Sequence, residues 1–495
     1  MSGMFLIVLP AAILIGGAFI VYLLARFFHL SNRAESLLTV MVLAATVATL
    51  FMLYVRIPDL VGTPGAFFGD PDPGGIIYKP NALGVFILII ASILGILVVL
   101  FSGEYLAKDP RYLVYYPLIL LTLAGLMGMF LSNSLFNLFL LTELVTITAS
   151  ALIAFRYHQE IAVKAGFKYL IMSSLGTMIM LLGVYFVYRS TGDMHLDQVL
   201  PSPDSLTRIG AACFLVGFSL KAGIFPLHTW VPDVYGHAPS AISGLLAGAV
   251  SKSMLFIMPV ICLRLGMTRP ELGAYLMVFA CINMLVGSIR MLRQRLLRRF
   301  LSFSSIAQTG YLMFGLGIGF YYDLDQAFTA GLFLFLVIAV MKSLAFLSAG
   351  VMQFYSGTQD IERLRGAARF MPVPAFCFSI AMAGLAGIPL LAGFTGKWLI
   401  FSAALTTGDI FAIVCLTIFL TSTLIGLGGY LPALVKQYLP VRGTDVLFNA
   451  ESGPIAISKW MLVPVVVLSL LVLAIGVYPA PWINWVEQVM GWMLI

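Results

Sequence analysis

Phe214-Leu-Val-Gly-Phe-Ser-Leu-Lys221-Ala-Gly-Ile-Phe-Pro226-Leu-His228-Thr-Trp230 is the stretch on which the reading of this chain turns. It is the C-terminal half of an apolar segment centred near residue 217 and long enough to cross a bilayer. A lysine stands inside it, and a proline follows within two turns. Proline removes a backbone donor and clashes with the preceding turn, so the helix is expected to unwind locally. A second segment repeats the pattern: Gly387-Ile-Pro389-Leu-Leu-Ala-Gly393-Phe-Thr-Gly-Lys397. Gly/Pro-interrupted spans in corresponding places of two halves point to the ion or substrate site of a transporter.

Five charged residues lie well inside apolar segments: Glu143, Lys221, Lys252, Lys342 and Lys397. A charge at the centre of a membrane helix costs about 2.5–3.5 kcal/mol on insertion scales, and such residues mark ion or proton pathways. The surrounding composition agrees. Hydrophobic residues make up 61% of the 495 residues and charged residues 10%. Soluble domains carry about 25% charged residues. The apolar runs are continuous, unlike the alternating strands of a membrane β-barrel. The chain is therefore expected to be an all-α polytopic membrane protein of about fourteen spans, centred near residues 15, 45, 92, 121, 144, 174, 217, 251, 280, 311, 339, 387, 420 and 468.

The net charge of +7 is not a nucleic-acid signature, because of where it lies. Under that span count, one set of alternate loops holds Arg26, Arg33, Lys108, Arg111, Arg156, Lys164, Lys168, Arg290, Arg293, Arg295, Arg298, Arg299, Arg363, Arg365, Arg369, Lys436, Arg442 and Lys459. The other set holds only Arg56, Lys79, Arg189, Arg208, Arg264 and Arg269. The positive-inside rule makes the first set cytoplasmic and places both termini on the outer face. The N-terminal apolar run has no basic leader and reads as a retained span. Cys213, Cys262, Cys281, Cys377 and Cys415 are scattered, with no CxxC pair, and read as core residues, not cluster or zinc ligands.

The two interrupted spans are the seventh and twelfth, five apart. An odd number of crossings inverts a second copy, so two inverted five-helix repeats are expected. The first covers 112–264, broken near 221–230; the second covers 270–434, broken near 387–397. Direct similarity between them is weak. A three-helix segment, 1–111, precedes them, and a last helix with an interfacial tail, 435–495, follows. The loop 55–82, with Pro64, Gly69, Asp70, Pro71, Asp72, Pro73, Gly74 and Gly75, has turn chemistry over a short hairpin. Residues 353–371 and 436–458 read as surface connectors. Trp482, Trp485 and Trp492 suit a membrane interface.

Each buried charge has two readings. Glu143, with Thr146 one turn on, is either a transport carboxylate or half of a structural ion pair. Lys221 is either a proton-exchanging amine beside backbone carbonyls freed by the break, or a snorkelling lysine. Lys252, between Ser251 and Ser253, can pass a proton between Lys221 and the second half. Lys342 lies near the repeat boundary with Ser343 and Ser348, and Lys397 follows the second break. Glu143 and Lys221 can form a pair whose approach and separation tune the lysine. Ser304, Ser305, Gln308 and Thr309 can hold water in the tenth span, or serve as helix–helix glue. His228 and His237, around Asp233, are natural proton shuttles. No third ligand stands at metal spacing. Spans without paired axial histidines argue against haem, and no GxGxxG fingerprint or P-loop occurs in a soluble domain. No cofactor, metal or catalytic residue is therefore expected in this chain.

The ordered motifs Phe225-Pro-Leu-His-Thr-Trp-Val-Pro-Asp233, Ala238-Pro-Ser-Ala-Ile-Ser-Gly-Leu-Leu246, Lys252, Leu301-Ser-Phe-Ser-Ser-Ile-Ala-Gln-Thr-Gly310 and Gly387 to Lys397, with the Glu143 segment, resemble the antiporter-like subunit family. That family is shared by respiratory complex I, Mrp-type cation/proton antiporters and membrane-bound hydrogenases. The resemblance runs from about 80 to 435. It implies fourteen helices, inverted repeats and a hydrated mid-membrane axis on Glu143, Lys221, Lys252, Lys342 and Lys397. Ile338 stands where the family often has a histidine, four residues before Lys342. Tyr235 stands where some members have another, with His237 two residues on. These departures resemble the Mrp and hydrogenase branches more than the complex I branch. The resemblance implies an H⁺-translocating subunit, with Na⁺/H⁺ exchange in the Mrp branch. It would sit in the cytoplasmic membrane of a prokaryote, beside homologous and small membrane subunits. In redox hosts a peripheral iron–sulfur or hydrogenase-like module would join them. The alternatives are a passive scaffold of a redox complex, a complex I-type quinone oxidoreductase subunit and a stand-alone solute carrier.

Overall fold

A computed structural model describes residues 3–61, 67–69, 75–107, 109, 112–198, 204–440 and 453–491. Pro64, Asp70, Pro71, Asp72, Pro73, Gly74, Lys108, Arg111, Arg442, Trp492 and most of the 436–458 connector lie outside the described residues. The chain opens with α1 (Gly3–Phe28) and α2 (Asn32–Val61), then the antiparallel pair β1 (Phe68–Gly69) and β2 (Ile77–Tyr78), as expected of the loop. Next come α3 (Ala82–Tyr105), α4 (Tyr112–Leu131), α5 (Leu135–Ile153), α6 (Glu160–Thr191) and α7 (Ser205–Ala222). A 3₁₀ turn, Leu227–Trp230, leads to α8 (Val231–His237). Then α9 (Ser240–Leu245) runs through a π-helical turn, Leu246–Val250, into α10 (Ser251–Arg264). The second half holds α11 (Arg269–Leu292), α12 (Leu297–Tyr322), α13 (Asp325–Ser356), α14 (Ala367–Phe370), α15 (Pro372–Ala386), α16 (Ala392–Thr406) and α17 (Ile410–Lys436). The last helices are α18 (Lys459–Val477) and α19 (Ala480–Gly491).

The protein is an all-α polytopic membrane protein, with twelve helical runs among the described residues long and apolar enough to cross a bilayer. Every expected midpoint falls in a helix except 387, which falls on the second break. Two expected spans are not among the twelve. α12 opens on Arg298 and Arg299 and is rich in hydroxyls, and α15 and α16 are 15 residues each. At about 1.5 Å per residue, neither half alone spans a hydrocarbon core of about 30 Å.

Glycine, not proline, ends both interrupted helices. α7 stops at Gly223 (φ 72°, ψ 40°), where the Ile224 amide donates to the Ser219 carbonyl at 2.9 Å. α15 stops at Gly387 (φ 88°, ψ 40°), where the Ile388 amide donates to the Ala383 carbonyl at 3.1 Å. Both are left-handed caps with a six-to-one bond, which Gly adopts without the Cβ penalty. Pro226 and Pro389 lie beyond the cap and keep the helix from resuming at once. The expectation that proline starts the unwinding is corrected accordingly.

The core is built on α13, buried over most of its length and packed on α12, α15, α16 and α18. α11 and α12 touch backbone to backbone: a Cβ on Gly287 would lie 2.4 Å from the Ala307 nitrogen. Small residues of this kind let membrane helices approach closely. Arg298, assigned to a loop by the charge pattern, is 4% exposed in the first turn of α12 and donates to the Ala238 carbonyl. Trp485 does more than mark an interface, for its ring meets Phe86 edge-on at 4.6 Å and ties α19 to α3.

Candidate functional site

Glu143, on α5, is half-buried and accepts from Ser174 Oγ at 3.1 Å and Thr177 Oγ1 at 2.6 Å, both on α6. Lys221, in the last turn of α7, is 7% exposed and donates to Thr146 Oγ1 at 2.6 Å and Ser173 Oγ at 2.7 Å. Thr146 and Ser173 also bond each other at 3.2 Å. Among the described residues no ion pair within 4.0 Å joins Glu143 to Lys221. The acid and the amine instead end on neighbouring hydroxyls of the same two helices. Thr146 sits one turn beyond Glu143, and Ser173 precedes Ser174.

A cavity of about 10 Å³ opens beside Lys221, lined by Thr142, Val145, Tyr169, Val250, Ser251 and Met254. That is about the space one water needs, and hydroxyls and an amine supply its polar partners. Ser251 continues the polar line, since its Oγ lies 2.6 Å from Tyr235 Oη. Lys252 follows in sequence, where the π-helical turn passes into α10, and is 2% exposed. It donates to Thr309 Oγ1 at 2.5 Å, Ser305 Oγ at 3.1 Å and the Ser305 carbonyl at 3.2 Å.

α12 gathers the other amines. Lys342, fully buried on α13, donates to Ser304 Oγ at 2.6 Å and the Leu301 carbonyl at 3.1 Å. Ser304 also bonds Tyr430 Oη of α17. One turn on, Gln308 Nε2 donates to the Leu385 carbonyl at 3.4 Å, and its Oε1 is buried without a partner. Lys397 donates to the same Leu385 carbonyl at 3.0 Å and to that of Ala386 at 3.3 Å. The second break frees these carbonyls, the last of α15. The Lys397 amine also lies 4.7 Å from the centre of the Tyr311 ring.

The structure thus seats Lys252, Lys342 and Lys397 against α12, which carries Ser304, Ser305 and Gln308, and leaves Lys221 beside the small cavity with Glu143 on the neighbouring hydroxyls. The histidines stand apart. His237 Nδ1 lies 2.8 Å from the Asp233 carbonyl, and the Asp233 carboxylate is paired with Lys168 at 2.5 Å and Arg299 at 3.5 Å. His228 stacks on Phe225. Ser173, Ser174, Thr177 and Tyr430 escaped the sequence reading. Hydroxyls in apolar helices are common, and only the fold shows which ones face an amine or a carboxylate.

Residues 132–426 match the family model described as NADH:quinone oxidoreductase/Mrp antiporter, TM. NADH-quinone oxidoreductase subunit N of Desulforudis audaxviator is 30% identical over 476 residues, covering 92% of this chain and 93% of that one. A Na(+)/H(+) antiporter subunit of Alkalihalophilus pseudofirmus is 28% identical over 425 residues, covering 84% and 83%. A chain of the membrane-bound sulfane sulfur reductase, an archaeal respiratory membrane complex, superposes with a TM-score of 0.85 at 23% identity, over 98% of this chain and 97% of that one. The chain belongs to the NADH:quinone oxidoreductase/Mrp antiporter membrane family.

Proposed function

We propose that this chain is the proton-translocating subunit of a multisubunit membrane complex, and that its path runs Glu143, Lys221, Lys252, Lys342, Lys397. The observation that carries this reading is the solvation of the four lysines. Each amine is buried without a carboxylate partner among the described residues, yet each is held by hydroxyls, carbonyls or a ring. Taking an ammonium out of water costs several kcal/mol, and structural packing alone gives no reason to bear that cost four times. Hydroxyls can both donate and accept, so a proton can move between amines through Thr146, Ser173, Ser305 and Ser304, with water filling the cavity beside Lys221.

The finer parts of the reading follow. The residues 112–264 and 270–434 are two inverted repeats; the matching glycine caps at 223 and 387 support this. His228 and His237 lie toward the face rich in arginine and connect the path to it. The relatives' names favour a host that is an NADH-quinone oxidoreductase-type or Na⁺/H⁺ antiporter-type assembly, with homologous and small membrane subunits as neighbours. A peripheral iron–sulfur module belongs to the redox alternative. The membrane is the inner membrane of a prokaryote, with the termini outward.

The deciding experiment replaces Lys221 by Ala in the intact complex. Coupled proton movement into vesicles should be lost, with the complex still assembled. Normal proton movement in an assembled Lys221→Ala complex removes the path.

A further inference from the structure

Glu35 is a buried charge-bearing residue that the lysine path does not use. It stands in the first turn of α2, is 0% exposed, and neither carboxyl oxygen has a hydrogen-bond partner. Its surroundings are polar but nearly uncharged. Tyr116 of α4 donates to Asn32 Oδ1 at 2.7 Å. Asn32 Nδ2 donates to the carbonyls of Gly103 at 2.8 Å and Ser102 at 3.2 Å. Ser102 Oγ in turn lies 3.0 Å from Tyr115 Oη. Ser36, the residue after Glu35, donates to the Val99 carbonyl at 2.9 Å. Buried polar side chains from α2, α3 and α4 therefore gather around Glu35 at the end of the bundle where Arg33 lies, and none of them bonds its carboxyl group.

Among the described residues, the charged groups at this end are paired or exposed. On α2 and α3, Arg33 and Glu104 pair with each other at 2.7 Å at the surface. Arg26 and His29 of α1 and Lys459 of α18 are exposed. On α4 the titratable groups are Tyr112, which donates to the Leu30 carbonyl at 3.0 Å, Tyr115 and Tyr116. Among the described residues no cation forms an ion pair with the carboxyl group. The field of a helix N-terminus favours an anion there, but it is worth a fraction of the cost of burying a bare carboxylate.

We propose that Glu35 is a proton-holding site in the N-terminal helices, separate from the lysine path, which exchanges its proton with water at the Arg33 face when its side chain turns onto the Tyr116 hydroxyl. In each exchange the carboxyl gives its proton to the Tyr116 oxygen as the phenol gives its own to an entering water, the reverse restores both, and nothing is oxidised or reduced.

The test is infrared spectroscopy of the full chain in lipid vesicles at neutral pH. Wild type should show the carbonyl stretch of a neutral carboxylic acid that Glu35→Gln lacks. In D₂O this band should shift while the helix amides stay protonated. Tyr116→Phe should keep the band but slow its shift about a hundredfold, the low end of what a positioned proton-transfer group contributes. Lys221→Ala should leave band and shift untouched, which separates this proposal from the transport reading. The proposal is overturned by a wild-type spectrum identical to that of Glu35→Gln, by a band that exchanges only with the helix amides, by Tyr116→Phe exchange at the wild-type rate, or by loss of the band in Lys221→Ala. If Glu35→Gln does not insert, the D₂O shift in wild type and Tyr116→Phe decides.

Discussion

Lys252 and Lys342 come from different helices and end on consecutive hydroxyls of α12: Lys252 on Ser305 Oγ at 3.1 Å, and Lys342 on Ser304 Oγ at 2.6 Å. One helical turn therefore serves two amines. Both hydroxyls can donate and accept, so this turn can hand a proton from one amine to the other. This is the coupling a step-by-step relay needs. A hydrogen bond to a charged group is worth about 1.5–3 kcal/mol, so Ser304→Ala should slow coupled proton movement about tenfold or more. Vesicle acidification by the assembled variant complex measures it, and an unchanged rate removes Ser304 from the relay.

The second break should be equally exacting. A Cβ on Gly387 would lie 3.3 Å from Lys397 Cδ and 3.5 Å from its amine, at a positive φ that costs a side chain about 1–2 kcal/mol. Gly387→Ala should therefore lower stability modestly and also displace Lys397 from the Leu385 carbonyl. Thermal unfolding in detergent reads the first effect, and proton movement the second. A variant that loses stability with full transport would show that Lys397 does not need this seat.

Acid should loosen one loop contact on the side opposite the Arg33 face. Burial pushes the Asp197 carboxyl up, but its bond to Lys79, helped by Asn133 at 2.9 Å and Arg264, holds it below the usual carboxylate range. A depressed folded value means the contact stabilises above the ordinary aspartate value of about 3.9 and is lost as pH falls below it. Asp197→Asn should speed hydrogen exchange in residues 75–81 at pH 7, and the difference from wild type should vanish in acid. Equal exchange at pH 7 would mean that the contact does not order the loop.

Much of this architecture was legible. The spans follow from long apolar runs, and the two breaks from Ala-Gly-Ile followed by proline. The four lysines stood out because a charge inside an apolar run is costly and rare, even though snorkelling or a structural role could account for one of them. Glu35 did not stand out, since two residues earlier Arg33 made it look like part of a loop; only the fold shows α3 and α4 closing over it. Arg298 misled in the same way, as the last arginine but one of a basic run that dips into the bundle. The hydroxyl partners were illegible because a serine or threonine in a membrane helix bonds its own backbone by default, as Thr142 does with the Leu138 carbonyl at 2.6 Å. Which hydroxyl meets an amine depends on helix rotation, and no local pattern encodes that.

The seat of α12 on α11 gives a last prediction. Gly287 faces Ala307, two residues beyond Ser305, with only 2.4 Å between its would-be Cβ and the Ala307 nitrogen. Backbone cannot yield as a flexible side chain does, so Gly287→Ala must push α12 bodily. Overpacking of this kind costs about 1–3 kcal/mol. Because Ser304 and Ser305 ride on the displaced turn, proton movement should fall by more than the loss of folded protein explains. Gly428→Ala on α17 is the control, since its Cβ would meet only Leu292 Cδ2 at 3.8 Å. Rate per assembled complex is the quantity to compare. If Gly287→Ala and Gly428→Ala share the wild-type rate, the amines tolerate movement of α12, and the relay cannot depend on the seating of Lys252 and Lys342 on that turn.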